Sequence, residues 1–294
     1  MKKTFALFLC LAILSLTAGS GLAESSPLLY EVRDGEGHVL YLLGTIHVGR
    51  DDMYPLSDAL WNAYHAADVL AVEADVVAYA GSLIGSIRAI TGLMYGLGDN
   101  AKNHLSPETY ALGIEKLGVS EILLKRLKPA GWYSLAENYM ISSVGLDATL
   151  GVDYTLLQQA HKENKRIDEL ESMDAQMAML LSLPEDIIDA EIRQILTYPQ
   201  ASGLSTLMLY NAWCLGDEKT LESILSLQTA DAAYDEFNDI LMVTRNEDFE
   251  KQAIQYLESG ETALIAIGAF HILGDDGLAA RLARAGYEVK EIGR

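Results

Sequence analysis

Two apolar runs of the same design frame the chain. The first, Val39-Leu40-Tyr41-Leu42-Leu43, leads into Gly44-Thr45-Ile46-His47. The second, Ala263-Leu264-Ile265-Ala266-Ile267, leads into Gly268-Ala269-Phe270-His271. A short continuous apolar run bounded by turn residues reads as a buried strand. Each run continues through paired acidic residues (Asp51-Asp52; Asp275-Asp276) into a leucine-bearing helical pattern and another strand. The two units of strand, G-x-x-H, helix and strand form a weak internal repeat.

The patterning between them predicts the rest. Residues 28–34 and 38–43 flank Gly35-Glu36-Gly37 and predict a β-hairpin. Residues 56–67 have helical spacing, with Ser57 or Asp58 available as N-cap. Residues 68–73 form a strand ending on Glu73. The β-α-β order predicts parallel pairing through a right-handed crossover, with this strand beside the first unit. The stretch 76–98 is apolar, with a lone Arg88 and several glycines. Its length would allow a membrane span, but Arg88 at its middle favours a buried or flap-like helical pair. Contact of 76–98 with a membrane surface or a substrate stays open.

Ser106-Pro107-Glu108 opens a helix, with serine as cap and proline in the first turn. Helical patterns follow to 117 and over 130–144, 151–164, 172–183, 184–198, 204–215, 218–227 and 230–258. A short strand at 165–171 interrupts them and ends on Glu171. The C-terminal unit is strand 262–267, helix 276–285 and strand 287–292. The predicted fold is α/β: one domain, 24–294, whose mainly parallel sheet core comes from the two units, with a large helical insertion over 76–258.

The N-terminus changes the picture of where the chain works. Met1-Lys2-Lys3, an apolar stretch over 4–16 and the small residues Gly21-Leu22-Ala23 make a signal peptide, 1–23, with cleavage expected after Ala23. The alternative is a retained anchor. The mature protein is expected outside the cytoplasm, periplasmic or extracellular. Removal of Lys2 and Lys3 leaves 19 basic residues against 42 acidic, so net charge moves from −21 to −23. Such a surface repels phosphates, which argues against nucleic acid and against anionic headgroups. Cys10 leaves with the signal, so Cys214 has no intrachain disulfide partner.

The strand ends carry the candidate chemistry. Active sites of open α/β sheets gather beyond the C-terminal edges of the strands, and glycine lets the backbone turn or approach a neighbour there. His47 and His271 occupy matching places in the two units, and Glu73 ends a third strand. Two imidazoles and a carboxylate are a common metal-ligand set with a position left for water or substrate. Arg245 lies in a helical segment, where it would steady an oxyanion or a substrate carboxylate, or point into solvent. Asp153 would cap its helix or enter the site. Glu171 would end its strand in solvent or enter the site, and Tyr54 is a further candidate for the pocket lining. Asp51, Asp52, Asp275 and Asp276 read as helix-entry carboxylates. His38, His65, His104 and His161 lack partners at ligand spacing. There is no H-E-x-x-H, G-x-S-x-G or Walker-type loop, which disfavours a conventional zincin, a serine hydrolase and a P-loop enzyme.

Taken together, Leu42 through Gly49, Tyr54-Pro55-Leu56, Val72-Glu73, Gly151-Val152-Asp153, Arg245-Asn246 and Gly268-Ala269-Phe270-His271 resemble the TraB/GumN family. That family is related to the Tiki metalloproteases and, more distantly, to erythromycin esterases and a haem-binding lipoprotein group. The resemblance implies a metal-dependent peptidase with His47, His271 and Glu73 at its centre. The divalent ion would be zinc, manganese or cobalt, with Glu73 as ligand or general base. It implies a peptide or protein substrate. Two other readings stand beside it. One is a non-catalytic peptide-, haem- or metal-binding protein. The other is metal-free hydrolysis with His47 as base and Arg245 as support. The oligomeric state is not legible.

Overall fold

In the computed structural model, which describes residues 27–229 and 242–293, the apolar runs lie side by side in one sheet. Its strands are β1 (Leu28–Arg33), β2 (Val39–Thr45), β3 (Val69–Val72), β4 (Arg166–Glu169), β5 (Ala263–Gly268) and β6 (Glu288–Glu291). Their order is β4-β3-β5-β2-β1-β6. The predicted hairpin forms between β1 and β2. The Asp34 carboxylate closes its turn by accepting the N–H groups of Glu36 (2.9 Å) and His38 (2.8 Å). Only β1 runs against the other five strands. β3 and β5 are buried almost throughout, as parallel strands covered on both faces are.

One pairing departs from expectation. β3 does not lie beside β2, because β5 runs between them, pairing Leu264–Gly268 with Tyr41–Thr45 and Ala263–Ala266 with Val69–Val72. An uninterrupted apolar strand is best covered at the centre, where a ladder on each side satisfies its backbone. Gly268 therefore stands between the strand ends that lead to His47 and to Glu73.

The helices follow their signals closely. α1 (Asp58–Ala66) is capped by Ser57, whose hydroxyl accepts the Leu60 N–H. The apolar stretch becomes α2 (Val76–Gly81) and α3 (Leu83–Gly92). Among the described residues no helix is long and apolar enough to cross a membrane. Next come α4 (Pro107–Lys116), α5 (Glu121–Leu124), α6 (Pro129–Ser143), α7 (Val152–Glu163), α8 (Met173–Leu181) and α9 (Glu185–Thr197). α10 (Pro199–Leu215) starts earlier than the expected 204, since proline suits a first helical turn. α11 (Glu218–Thr229) and α12 (Thr244–Ser259) follow, then α13 (Ala269–Ile272) and α14 (Leu278–Arg284). The signal segment 1–23 and residues 230–241 of an expected helix lie outside the described residues.

Two apolar clusters result. One surrounds the sheet and includes Leu42, Leu70, Trp213, Phe249 and Ile265. The other joins α4, α6 and α9 through Tyr110, Trp132, Ile192 and Leu196. The buried indole of Trp213, on α10, donates to the Gly44 carbonyl at 2.7 Å. This bond fastens the end of β2 just before His47.

Candidate functional site

His47 leaves β2 two residues past its end, held by the start of α7. Val152 N–H donates to Ile46 O at 2.9 Å. A Cβ on Gly151 would lie 2.7 Å from the His47 carbonyl carbon, so glycine is what lets α7 close on this backbone. Asp153 then reaches His47, with Oδ2 3.1 Å from Nδ1. No side chain caps α7, and Gly151 occupies the cap position. Tyr54 is not among the cleft-lining residues. Its hydroxyl donates to Leu150 O (2.9 Å) and shares a bond with Thr155 Oγ1 (2.7 Å), bracing the loop that delivers Asp153.

Glu73, one residue beyond β3, is held from several sides. Its Oε1 accepts the Gly268 N–H at 2.7 Å, and its Oε2 accepts Arg245 Nη2 at 2.6 Å. Arg245, near the start of α12, also gives Nε to Glu171 Oε1 (2.5 Å) and Nη1 to His271 Nε2 (3.0 Å). The guanidinium is always a donor, so His271 Nε2 accepts and its proton lies on Nδ1. That Nδ1 meets Asn246 Oδ1 at 2.6 Å, while Asn246 Nδ2 donates to Asp276 O at 2.9 Å. Gln176, on α8, reaches both Glu73 and Glu171 at 3.4 Å.

The sequence candidates His47, Glu73, Asp153, Glu171, Arg245 and His271 thus come together. A Cβ on Gly268 would lie 3.3 Å from Glu73 Oε1, 3.6 Å from His47 Nε2 and 3.7 Å from the His271 ring. The two histidines differ in setting. The His47 side chain is 62% exposed, whereas His271 is 5% exposed and packs edge-on against Phe249. Sequence reading missed Gln176, Thr45 and the Gly268 N–H. A glutamine inside a helical pattern carries no signal, and the glycine's role depends on the β5 insertion.

A cleft of about 440 Å³ opens above this network, within the range of small-ligand sites. Thr45, His47, Glu73, Asp153, Tyr154 and Gln176 line it with apolar neighbours. Arg245, Glu171 and His271 are not in that lining and support Glu73 from behind. The remaining histidines are structural: His38 pairs with Asp34, His161 with Asp75, and His104 with Asp99 and Glu185. His65 stacks on Trp61.

The electrostatics follow from these contacts. Asp153, with its carboxylate on Nδ1, raises the His47 imidazole to about 9. Burial alone would raise the Glu73 carboxyl. His47, His271, Arg245 and the Gly268 N–H overcome it and hold the group at about 2, with His271 contributing only when protonated. Burial lowers His271 to about 4. Near neutral pH the cleft therefore presents imidazolium beside carboxylate.

The donor types of His47, Glu73 and His271 suit a divalent ion, although Arg245 holds two of these three groups here. Arg245 already occupies His271 Nε2 and Glu73 Oε2, and a cation shared by these atoms would lie against the guanidinium. Among the described residues no three His, Cys, Asp or Glu side chains stand in a metal-holding group.

The TraB/PrgY/gumN family profile matches residues 28–291, from β1 to β6. The chain belongs to the TraB/PrgY/gumN family. Within the reach of that match lie the sheet, both G-x-x-H units and every residue of the network above. The chain is 27% identical over 238 residues to "Uncharacterized protein YbaP" of Escherichia coli (strain K12), covering 81% of this chain and 85% of that protein. It is equally similar to the protein of the same name in Shigella flexneri. No solved structure shows significant similarity.

Proposed function

We propose that this family member is an extracytoplasmic hydrolase acting on peptides. The observation that supports it is the meeting of His47 and Glu73 at one open cleft, beyond the C-terminal ends of parallel strands, with Asp153 on His47 Nδ1. In this reading Asp153 holds the His47 imidazolium, whose Nε2–H gives its proton to the leaving amine. Glu73, fixed by Arg245 and the Gly268 N–H, orients the water and takes its proton. The peptide as substrate rests on the resemblance to Tiki metalloproteases, and the location on the N-terminal signal pattern.

A second reading adds a divalent ion (zinc, manganese or cobalt) held by His47, Glu73 and His271. It is favoured by the anchoring of both Nδ1 atoms, on Asp153 and Asn246, the outer-shell pattern usual for metal-bound histidine. Such an ion would supply carbonyl polarisation, and Arg245 would have to give up two of its contacts.

The test is digestion of a defined peptide library by the mature protein, with chelator and with each added metal, read by mass spectrometry. New termini that survive chelator and vanish in His47→Ala support the first reading. Cleavage restored only by added metal supports the second. No new termini under any condition, with peptide retained by Glu73→Gln, would leave a binding protein and end the hydrolase reading.

A further inference from the structure

Two buried polar atoms of the cleft residues have no hydrogen-bond partner among the described residues: Thr45 Oγ1 and Asp153 Oδ1. Thr45 is 2% exposed, ends β2 in register with Gly268, and lines the cleft with His47, Glu73 and Asp153. Its neighbours on the cleft floor include Val72 and Ala266, whose side chains offer no hydrogen bond. A valine would fill the same strand position without stranding a hydroxyl, and a stranded hydroxyl costs stability. The fold therefore gains nothing from this oxygen. Asp153 has one carboxylate oxygen on His47, and the other is the orphan.

We propose that these two atoms are the amide-recognition points of the cleft. The Thr45 hydroxyl donates to a carbonyl oxygen of an extended peptide, and Asp153 Oδ1 accepts a backbone N–H. A peptide supplies one acceptor and one donor at nearly every residue, whereas an ester of the same shape lacks the donor. A site that buries a hydrogen-bonding group for its substrate rejects the analogue that leaves it unpaired. This inference rests on the peptide reading above and names what the cleft selects.

The test separates the subsite from turnover. Thr45→Val keeps shape and removes the hydroxyl, while Thr45→Ser keeps the hydroxyl. Unfolding temperature is measured for both. Binding is measured on Glu73→Gln, with and without Thr45→Val, using a pool of N-acetyl pentapeptide amides and the same pool with a central N–H replaced by ester oxygen. The expected result is that Thr45→Val unfolds at the wild-type temperature or above it, and weakens amide binding by about 10–100-fold. Thr45→Ser should match wild type, and the ester pool should bind correspondingly worse than the amide pool. If wild type cleaves nothing but this pattern holds, the subsite stands and the hydrolase reading falls. A drop in unfolding temperature for Thr45→Val, equal binding with and without the hydroxyl, equal binding of the two pools, or no binding of either overturns the proposal.

Discussion

Arg245 touches Glu73, Glu171 and His271 at once and is 15% exposed. Arg245→Met would leave Glu73 and Glu171 without the guanidinium that joins them. Breaking a buried pair from one side costs roughly 3–5 kcal/mol, so urea unfolding of this variant should show a loss of that order. Arg245→Lys should recover part of it, since an ammonium keeps the charge but cannot fork to three partners. A loss below about 1 kcal/mol for Arg245→Met would mean the network is not formed. The site also sets a pH profile. His47 is raised to about 9, so its contribution is complete below 6.5 and is lost as pH rises through 9. His271 is lowered to about 4, so the unfolded chain takes that proton first and stability falls as pH drops from 6.5 to 4. Glu73 is held at about 2, so its contribution is present above 4.5 and is lost as pH falls through 2. Stability should therefore peak near pH 6.5, and His47→Gln should flatten the alkaline side. A wild-type curve that stays level from 6.5 to 9 would contradict the His47–Asp153 contact. His47, Glu73, Glu171 and His271 were legible as candidates because strand ends and paired motifs mark them, whereas Asp153 and Arg245, each in a helical pattern, stood out through the family resemblance. Which of them face the cleft was not legible, because that depends on contacts between residues 172 positions apart in the case of Glu73 and Arg245.

At the level of elements, the alternation of apolar runs and capped helices was enough to place nearly every strand and helix. Strand order was only partly legible. Local β-α-β logic put β3 against β2, and nothing within 68–73 says that a strand from the far end of the chain will enter between them. That insertion brings the Gly268 N–H to Glu73. The helical layer makes its own demand. A Cβ on Gly113 of α4 would stand 2.1 Å from Trp132 Cζ3, and Trp132 is fully buried with its indole N–H on Leu124 O at 2.9 Å. Gly113→Ala improves helix propensity but must displace this ring. The overpacking cost of roughly 1–3 kcal/mol should win. Unfolding at lower denaturant, with an altered tryptophan emission spectrum, is the expected result. A stabilised Gly113→Ala would show that α4 does not pack on α6 this closely.

The whole molecule combines strong acidity with stretches that lack it. Net charge is −21, yet 76–98 contains no Asp or Glu. Its one cation, Arg88, is paired with Asp174 at 2.9 Å. On α3, Leu83, Ile84, Ile87 and Ile90 are all exposed, at spacings that put them along one side of the helix. Val76, at the start of the preceding α2, lines the cleft. We propose a zwitterionic membrane surface as the contact, since a short apolar helix face can sit at a lipid interface while the remaining charge opposes anionic headgroups. Mature protein should co-sediment with phosphatidylcholine vesicles and less with vesicles carrying an anionic lipid. Added salt should narrow that difference, because it screens the repulsion. Ile84→Ser with Ile87→Ser should abolish sedimentation without lowering the unfolding temperature, since both side chains are already in water. Tighter binding to anionic vesicles would contradict the charge argument. No binding to either kind would return the α3 face to the peptide substrate or to a second copy of the chain. The double variant separates those two outcomes, since substrate contact would show in its peptide cleavage and self-association in its mass in solution.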